Sequence, residues 1–223
     1  MNCEIDVPAT AGVSVFEALE TRRAIKHYDP AFALDDATLR RLLTAAALAP
    51  TAFNMQNRHV VVVRDPARKA RLQQAAFGQP QVAQAAAVFV LCGDHDAHRR
   101  TDRYLRHAPA AARAAMEPMI AAAFDGEAAK QREEGVRSTA MMAMALMLAA
   151  TELGLDSGPM TGFDPAQVSA LLGLDDAHPP TMLVVVGRGA RVAHPRLGLL
   201  DLDEFVSLER FGERTLRGAL EVV

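Results

Sequence analysis

The sequence contains no tryptophan, and only two tyrosines and two cysteines among its 223 residues. Cys3 and Cys92 form no spaced pair, so neither a disulfide framework nor a zinc site is expected. An excess of one charge is also missing. Lys plus Arg number 24 against 27 Asp plus Glu, for a net charge of −3. That balance supplies no global basic field for nucleic acid or an anionic membrane. The longest apolar run, "AMMAMALMLAA" at 140–150, falls well short of the roughly 18 residues a membrane span needs. The N-terminal "MNCEIDVPATAGVS" has no basic region followed by an apolar one, so it is not read as a secretory signal. Neither phosphate-binding glycine pattern, G-x-G-x-x-G or G-x-x-x-x-G-K-S/T, is present, and no G-x-S-x-G elbow is found. Repeats and low-complexity tracts are absent. The expectation is a soluble, reduced, cytoplasmic chain.

What is there is a mixture of helix and strand signals. Ser14 and Glu17 have capping-box spacing, and the helix they open runs toward Arg22 and Arg23. A second helix is predicted after Asp35, with Leu39, Leu42, Leu43, Ala46 and Ala47 on one face and Pro50 as its end. Val60 to Val63 predict a strand buried on both faces. Asp65 and Pro66 open the next helix. "AAVFVLCG" and "TMLVVVGRG" read as further buried strands. Residues 94–134 are polar, alanine-rich and helical in tendency, with a break at "FDGEAAK". Residues 136–153 form a long helix, apolar nearly all round, for a core centre or a subunit interface. Its methionines at 141, 142, 144 and 147 read as packing. Gly154 caps it, "LDSGPMTGFDP" reads as a Gly/Pro-rich loop, and Asp164–Pro165 opens a helix that stops at Gly173. The pattern points to one α/β or α+β domain over 1–223.

Four stretches carry possible chemistry. "TRRAIKHY" places Arg22, Arg23 and Lys26 where a helix gives out. They either grip a phosphate or only complement the helix dipole. "PTAFNMQN" holds Asn54 and Gln56, amides that suit a ligand with both donors and acceptors, or that merely cap a loop. "SGPMTGFD" offers Gly158, Pro159 and Gly162, where backbone N–H groups can meet a flat ligand, or an ordinary turn. "RVAHPRLG" brings His194 and Arg196, with Arg188 and Arg191 nearby, as further phosphate ligands or solvated loop charge. "GDHDAH" at 93–98 lacks a helix-defined ligand spacing, and no metal is assigned to it.

The ordered set "RRAIKHYDP", "APTAFNMQNRHVVVVRDP", "LAATELGLDSGPMTGFD" and "VVVGRG…HPRLG" resembles the FMN-dependent nitroreductase family, from about Thr21 to about Glu209. The resemblance implies an α+β fold with a central mixed sheet flanked by helices and a long helix in a dimer contact. It implies a homodimer with FMN at the subunit interface, and residues 94–134 are a candidate lid. Arg22, Arg23, Ala24 and Lys26 would surround the FMN phosphate, ribityl chain and pyrimidine edge. Pro50, Thr51, Ala52, Asn54 and Gln56 would reach the same cofactor from the partner subunit. Pro159, Met160, Thr161 and Gly162 would lie along the flavin ring, with Gln79 and Gln81 at its edge. Arg188, His194 and Arg196 would return to the phosphate. Ala24 stands where the family often has Ser, Asn57 and Arg58 replace a Pro–aromatic pair, and Thr161 stands where some members carry Glu. The implied activity is hydride transfer from NAD(P)H through FMN to a nitroaromatic or quinone, by ping-pong kinetics and without a catalytic side chain. Reduction of an aldehyde or enone, dehalogenation, a non-catalytic flavin protein and a cofactor-free interaction module are the alternatives.

Overall fold

The computed structural model describes residues 12–213, so the readings for Cys3 and for the N-terminal stretch before residue 12 lie outside it. Its element order is α1 (Val15–Thr21), α2 (Asp36–Ala47), β1 (Arg58–Val63), α3 (Pro66–Ala75), α4 (Pro80–Gln84) and β2 (Ala87–Gly93). Then come α5 (Thr101–Tyr104), α6 (Ala110–Phe124), α7 (Ala128–Glu152), β3 (Asp156–Met160), α8 (Pro165–Leu172), β4 (Pro180–Gly187) and α9 (Leu202–Phe205). The class is α+β. The helix starts follow the predicted caps: Ser14, Asp35, Asp65 and Asp164 each accept a backbone N–H of the first turn. Gly173 closes α8 in the left-handed region, which a residue without Cβ enters freely.

The sheet order is β1-β2-β4-β3, and every neighbouring pair is antiparallel. The parallel part of the expected mixed sheet is one isolated bridge, Ala24 to Ser157. Strand β2 is buried along its whole length. Alternate residues feed two cores. Val88, Val90 and Cys92 pack with Leu72, Val82 and Val168, while Ala87, Phe89 and Leu91 pack with Leu42, Leu146 and Ala150.

Three elements differ from the sequence expectation. Strand β1 is an edge strand, so Val60, Val61 and Val62 are only half-buried instead of covered on both faces. The "LDSGPMTGFDP" segment is not all loop, because Asp156–Met160 pairs with β4. Pro159 is tolerated there because an edge strand leaves one row of N–H groups unused. Helix α7 starts at Ala128 rather than 136, directly after the break at Gly126. It buries Ser138, Met142, Leu146 and Ala150 and leaves Val136 and Met141 exposed, so it is not apolar-covered all round.

One close approach positions the site. A Cβ on Gly158 would lie 2.9 Å from the Ile25 carbonyl oxygen. The chain after α1 can therefore lie flat against β3, with Ile25 N–H donating to Ser157 O at 3.1 Å. Gly158→Ala should lower the stability by about 1–3 kcal/mol, the usual cost of overpacking. Urea unfolding checks this, and an unchanged midpoint would mean that the 22–28 segment does not depend on this contact.

Candidate functional site

The sheet edge at β3 gathers three separate stretches of chain. Residues 24–29 are tied to the ends of β3 and β4 by the Ala24–Ser157 and Tyr28–Gly189 bridges and by Asp29 N–H to Arg188 O at 2.8 Å. Gly189 N–H donates to Asp156 Oδ2 at 2.7 Å, which fixes the exit of β4. Upstream, α1 ends at Thr21 and leaves its last carbonyls open, as helix ends do. Cations fill that end. Arg196 Nη2 donates to Leu19 O at 2.5 Å, and Arg23 Nη1 donates to the carbonyls of Glu20 and Arg22. Burial holds the Arg22 guanidinium below its ordinary value, and the charges of Arg196 and Arg23 push it the same way. Three guanidiniums thus crowd one place, and the buried Nε of Arg22 has no hydrogen-bond partner. Such a cluster is set to accept an anion, because a phosphate would relieve the like-charge repulsion and occupy the free donor.

Strand β3 leads away from the bridged segment to the β3–α8 connection. Met160 is buried in the core, so its backbone rather than its side chain faces the site, while Thr161 and Gly162 are exposed. Gln79 reaches across to them, its Nε2 donating to Gly162 O at 2.8 Å. Gln81 is buried and donates to Gln79 Oε1 at 3.0 Å, so it positions Gln79. Asp156, Ser157 and Tyr28 were not singled out from the sequence. Ser157 Oγ and Tyr28 OH are buried without partners. Burial, with a contribution from Asp156, raises the Tyr28 phenol far above its ordinary value, so it stays a neutral donor. Their signal was present in "HYDP" and "LDSG", inside motifs read only for cations and glycines.

Arg188, also expected at the phosphate, has an aromatic ring as its neighbour. The Arg188 guanidinium lies 4.6 Å from the Phe32 ring centroid, in a cation–π contact. His194 is exposed between β4 and α9. Ala24 and Lys26 are exposed on the bridged segment. In the "GDHDAH" stretch, Asp94 pairs with Arg100 and His98 with Asp125. No group of three or more metal-ligating side chains forms among the described residues.

The "PTAFNMQN" loop lies at the opposite edge, before β1. Four strands separate the two edges by roughly 14 Å, at about 4.8 Å per spacing. One chain therefore brings Arg22, Arg23 and Arg196 together at the start of the β3 edge, joins Gln79 to Gly162 past the far end of that strand, and keeps Pro50, Thr51, Ala52, Asn54 and Gln56 at the opposite edge of the sheet. The loop is strained. Phe53, Asn54 and Gln56 all have positive φ, at 52°, 55° and 49°. That conformation costs a non-glycine residue roughly 1–2 kcal/mol. It is held by Gln56 N–H to Thr51 Oγ1 at 3.0 Å and by Asn54 Nδ2 to Tyr104 O at 3.0 Å. The neighbours are structural. Asn57 Oδ1 accepts from Ser138 Oγ at 2.6 Å in the interior, and Arg58 Nη2 donates to Ala47 O and Ala49 O, each at 2.8 Å. Asn54→Ala and Asn54→Gly both lose the bond to Tyr104, but only glycine keeps the left-handed backbone without strain. The alanine variant should be the less stable of the two by roughly 1 kcal/mol, measured by chemical denaturation.

The chain is similar to several known proteins. The chain is 37% identical over 179 residues to a Thermus thermophilus protein named NADH dehydrogenase, covering 78% of this chain and 86% of that one. It is 33% identical over 177 residues to the DrgA protein of Synechocystis, covering 79% of this chain and 84% of that one. Among solved structures, a protein from Exiguobacterium sibiricum in complex with FMN matches with a TM-score of 0.78 at 26% identity, over 84% of this chain and 93% of that chain. Residues 19–188 match the nitroreductase family as a whole, and the chain belongs to that family.

Proposed function

We propose that this protein is a cytoplasmic, homodimeric flavin oxidoreductase that passes a hydride from NAD(P)H, by way of FMN, to a nitroaromatic or quinone acceptor. The observation that carries this reading is the Arg22–Arg23–Arg196 cluster with its unpartnered, buried Arg22 Nε. The FMN complex of the Exiguobacterium sibiricum relative supports it, as does the name of the Thermus thermophilus relative, which points to a nicotinamide reductant.

FMN, when bound, supplies the reversible hydride chemistry, and the protein supplies position and field. Arg22, Arg23 and Arg196 hold the phosphate, which carries about −1.5 to −2 charge at neutral pH. The backbone of Pro159–Gly162 lies along the ring, its approach kept open by the absent side chain at Gly162. Gln79, anchored by Gln81, marks the ring edge. Lys26 favours negative charge at the pyrimidine edge. Thr51, Asn54 and Gln56 complete the site of the partner subunit, because they lie too far from the cation cluster of their own chain. The exposed apolar side chains Val15, Phe16, Val136 and Met141 on the neighbouring helices α1 and α7 support a subunit contact there.

Two outcomes are expected. Arg22→Ala and Arg196→Ala should each weaken FMN retention about tenfold or more, since a charge-assisted hydrogen bond contributes roughly 1.5–3 kcal/mol. The flavin-to-protein absorbance ratio after gel filtration reads this, and unchanged ratios in both variants would remove the phosphate assignment. Anaerobic NADH or NADPH should bleach the flavin spectrum. With donor and acceptor then varied together, double-reciprocal plots should give parallel lines, because both use one face in turn. Intersecting lines would exclude the shared site.

A further inference from the structure

A second basic site lies outside the Arg22 cluster. A cavity of about 270 Å³ is lined by Gln56, Asp94, Arg100, Arg103, Tyr104 and Arg106, among others. One carboxylate faces three guanidiniums. Asp94 is buried and ion-paired with Arg100, so Arg100 is fixed at the wall, and its own buried Nε has no hydrogen-bond partner. Arg103 and Arg106 are exposed and make no ion pair among the described residues. Two positive charges therefore remain uncompensated around a concave space. Arginine forks of this kind match the oxygens of a phosphate. The volume falls just below the roughly 300–1,000 Å³ of sites that enclose whole small ligands. It suits one charged group of a longer molecule.

One wall of this cavity is the strained loop. Gln56 lines it, and Asn54 Nδ2 ties the loop to Tyr104 of α5, the helix that also carries Arg103. On the reading proposed above, on which this inference rests, that loop borders the flavin of the partner subunit. An anion in the cavity would then sit beside the face where the reductant stacks. We infer that Arg100, Arg103 and Arg106 bind a phosphate of the nicotinamide co-substrate, either the 2′-phosphate of NADPH or the pyrophosphate shared with NADH. These arginines set affinity and nucleotide preference rather than the hydride step.

The test compares the FMN-loaded protein with its R103A/R106A variant. Both side chains are solvent-exposed, and an R103K/R106K variant, which keeps the charge, serves as the rescue. Calorimetry with 2′,5′-ADP and with 5′-ADP reads phosphate binding directly, and KM is measured for NADPH and NADH. The double alanine variant should bind its phosphate probe about tenfold more weakly, with a matching rise in KM and partial recovery in the lysine variant. Loss confined to 2′,5′-ADP and NADPH identifies the 2′-phosphate, and equal loss for both nucleotides identifies the pyrophosphate. Unchanged probe binding with unchanged KM overturns the inference. So does loss of FMN in the double variant with nucleotide affinity intact, because the cavity would then belong to the flavin phosphate. A native protein without a flavin spectrum would instead sink the oxidoreductase reading, while calorimetry would still decide whether the cavity binds phosphate.

Discussion

The missing side chain at Gly158 is the constraint on which the site depends. The Ile25 carbonyl occupies the space a Cβ would need, 2.9 Å away. The chain leaving α1 is thereby pressed onto β3 and bonded to Ser157. Gly189 does the same for the chain leaving β4, where an added Cβ would meet Asp156 Oδ2 at 2.9 Å. Three stretches far apart in sequence, 22–29, 156–162 and 187–196, thus converge on one sheet edge. Their convergence, more than any single residue, turns scattered cations into a cluster. An arginine pair beside a helix end is common and means little. Three guanidiniums with a buried, unsatisfied N–H are an arrangement that an anion completes.

Strand order then decides what one chain can do alone. The cation cluster lies at β3 and the amide loop at β1, the two outer strands of the sheet. No rotamer change bridges three strand spacings. A two-fold partner bridges them without further design, because a symmetric interface presents each chain's β1 edge to the other's β3 edge if the contact lies between them. The dimer proposed above would bring the two edges together. The same sheet that supplies the core also separates the cation cluster from the amide loop.

Much of the helical framework was legible because helix ends are local chemistry. Asp35, Asp65–Pro66, Asp164–Pro165 and Gly173 each mark a boundary by satisfying or omitting a backbone group. The buried strands β2 and β4 were legible as unbroken apolar runs. Strand β3 was not, because Gly158 and Pro159 are turn formers by local rule, and only the edge position makes them strand residues. The exposure of β1 follows from sheet order, which no strand encodes alone. In the site, Arg22, Arg23 and Arg196 could be read as a group from their motifs. Arg188 could not be separated from them, because its partner Phe32 is supplied by the fold. Arg100, Arg103 and Arg106 were not singled out from the sequence. Their three-residue spacing falls across the short helix α5, and the cavity they share is closed by a loop fifty residues upstream.

The division of labour between side chains and cofactor follows from where the reactive groups sit. Cys92 is wholly buried in β2, and burial pushes its thiol up to about 12. It cannot present a thiolate at neutral pH, and packing is its role. Burial also raises the Tyr104 phenol to about 12, with Glu117 and Asp102 adding to the effect, and raises Tyr28 further still. Both phenols remain protonated over the whole working range. These groups can donate hydrogen bonds but cannot serve as nucleophile or base. The candidate site thus offers fixed positive charge and oriented donors, and little that exchanges protons with the solvent. That is the environment a redox cofactor with a charged tail requires: permanent positive charge facing its phosphate, whose own second ionisation, near pH ~6, is then the main source of pH dependence. The basic cavity at Arg100, Arg103 and Arg106 is built on the same principle. In both places arginine is concentrated, the side chain whose charge neither burial nor crowding removes at neutral pH.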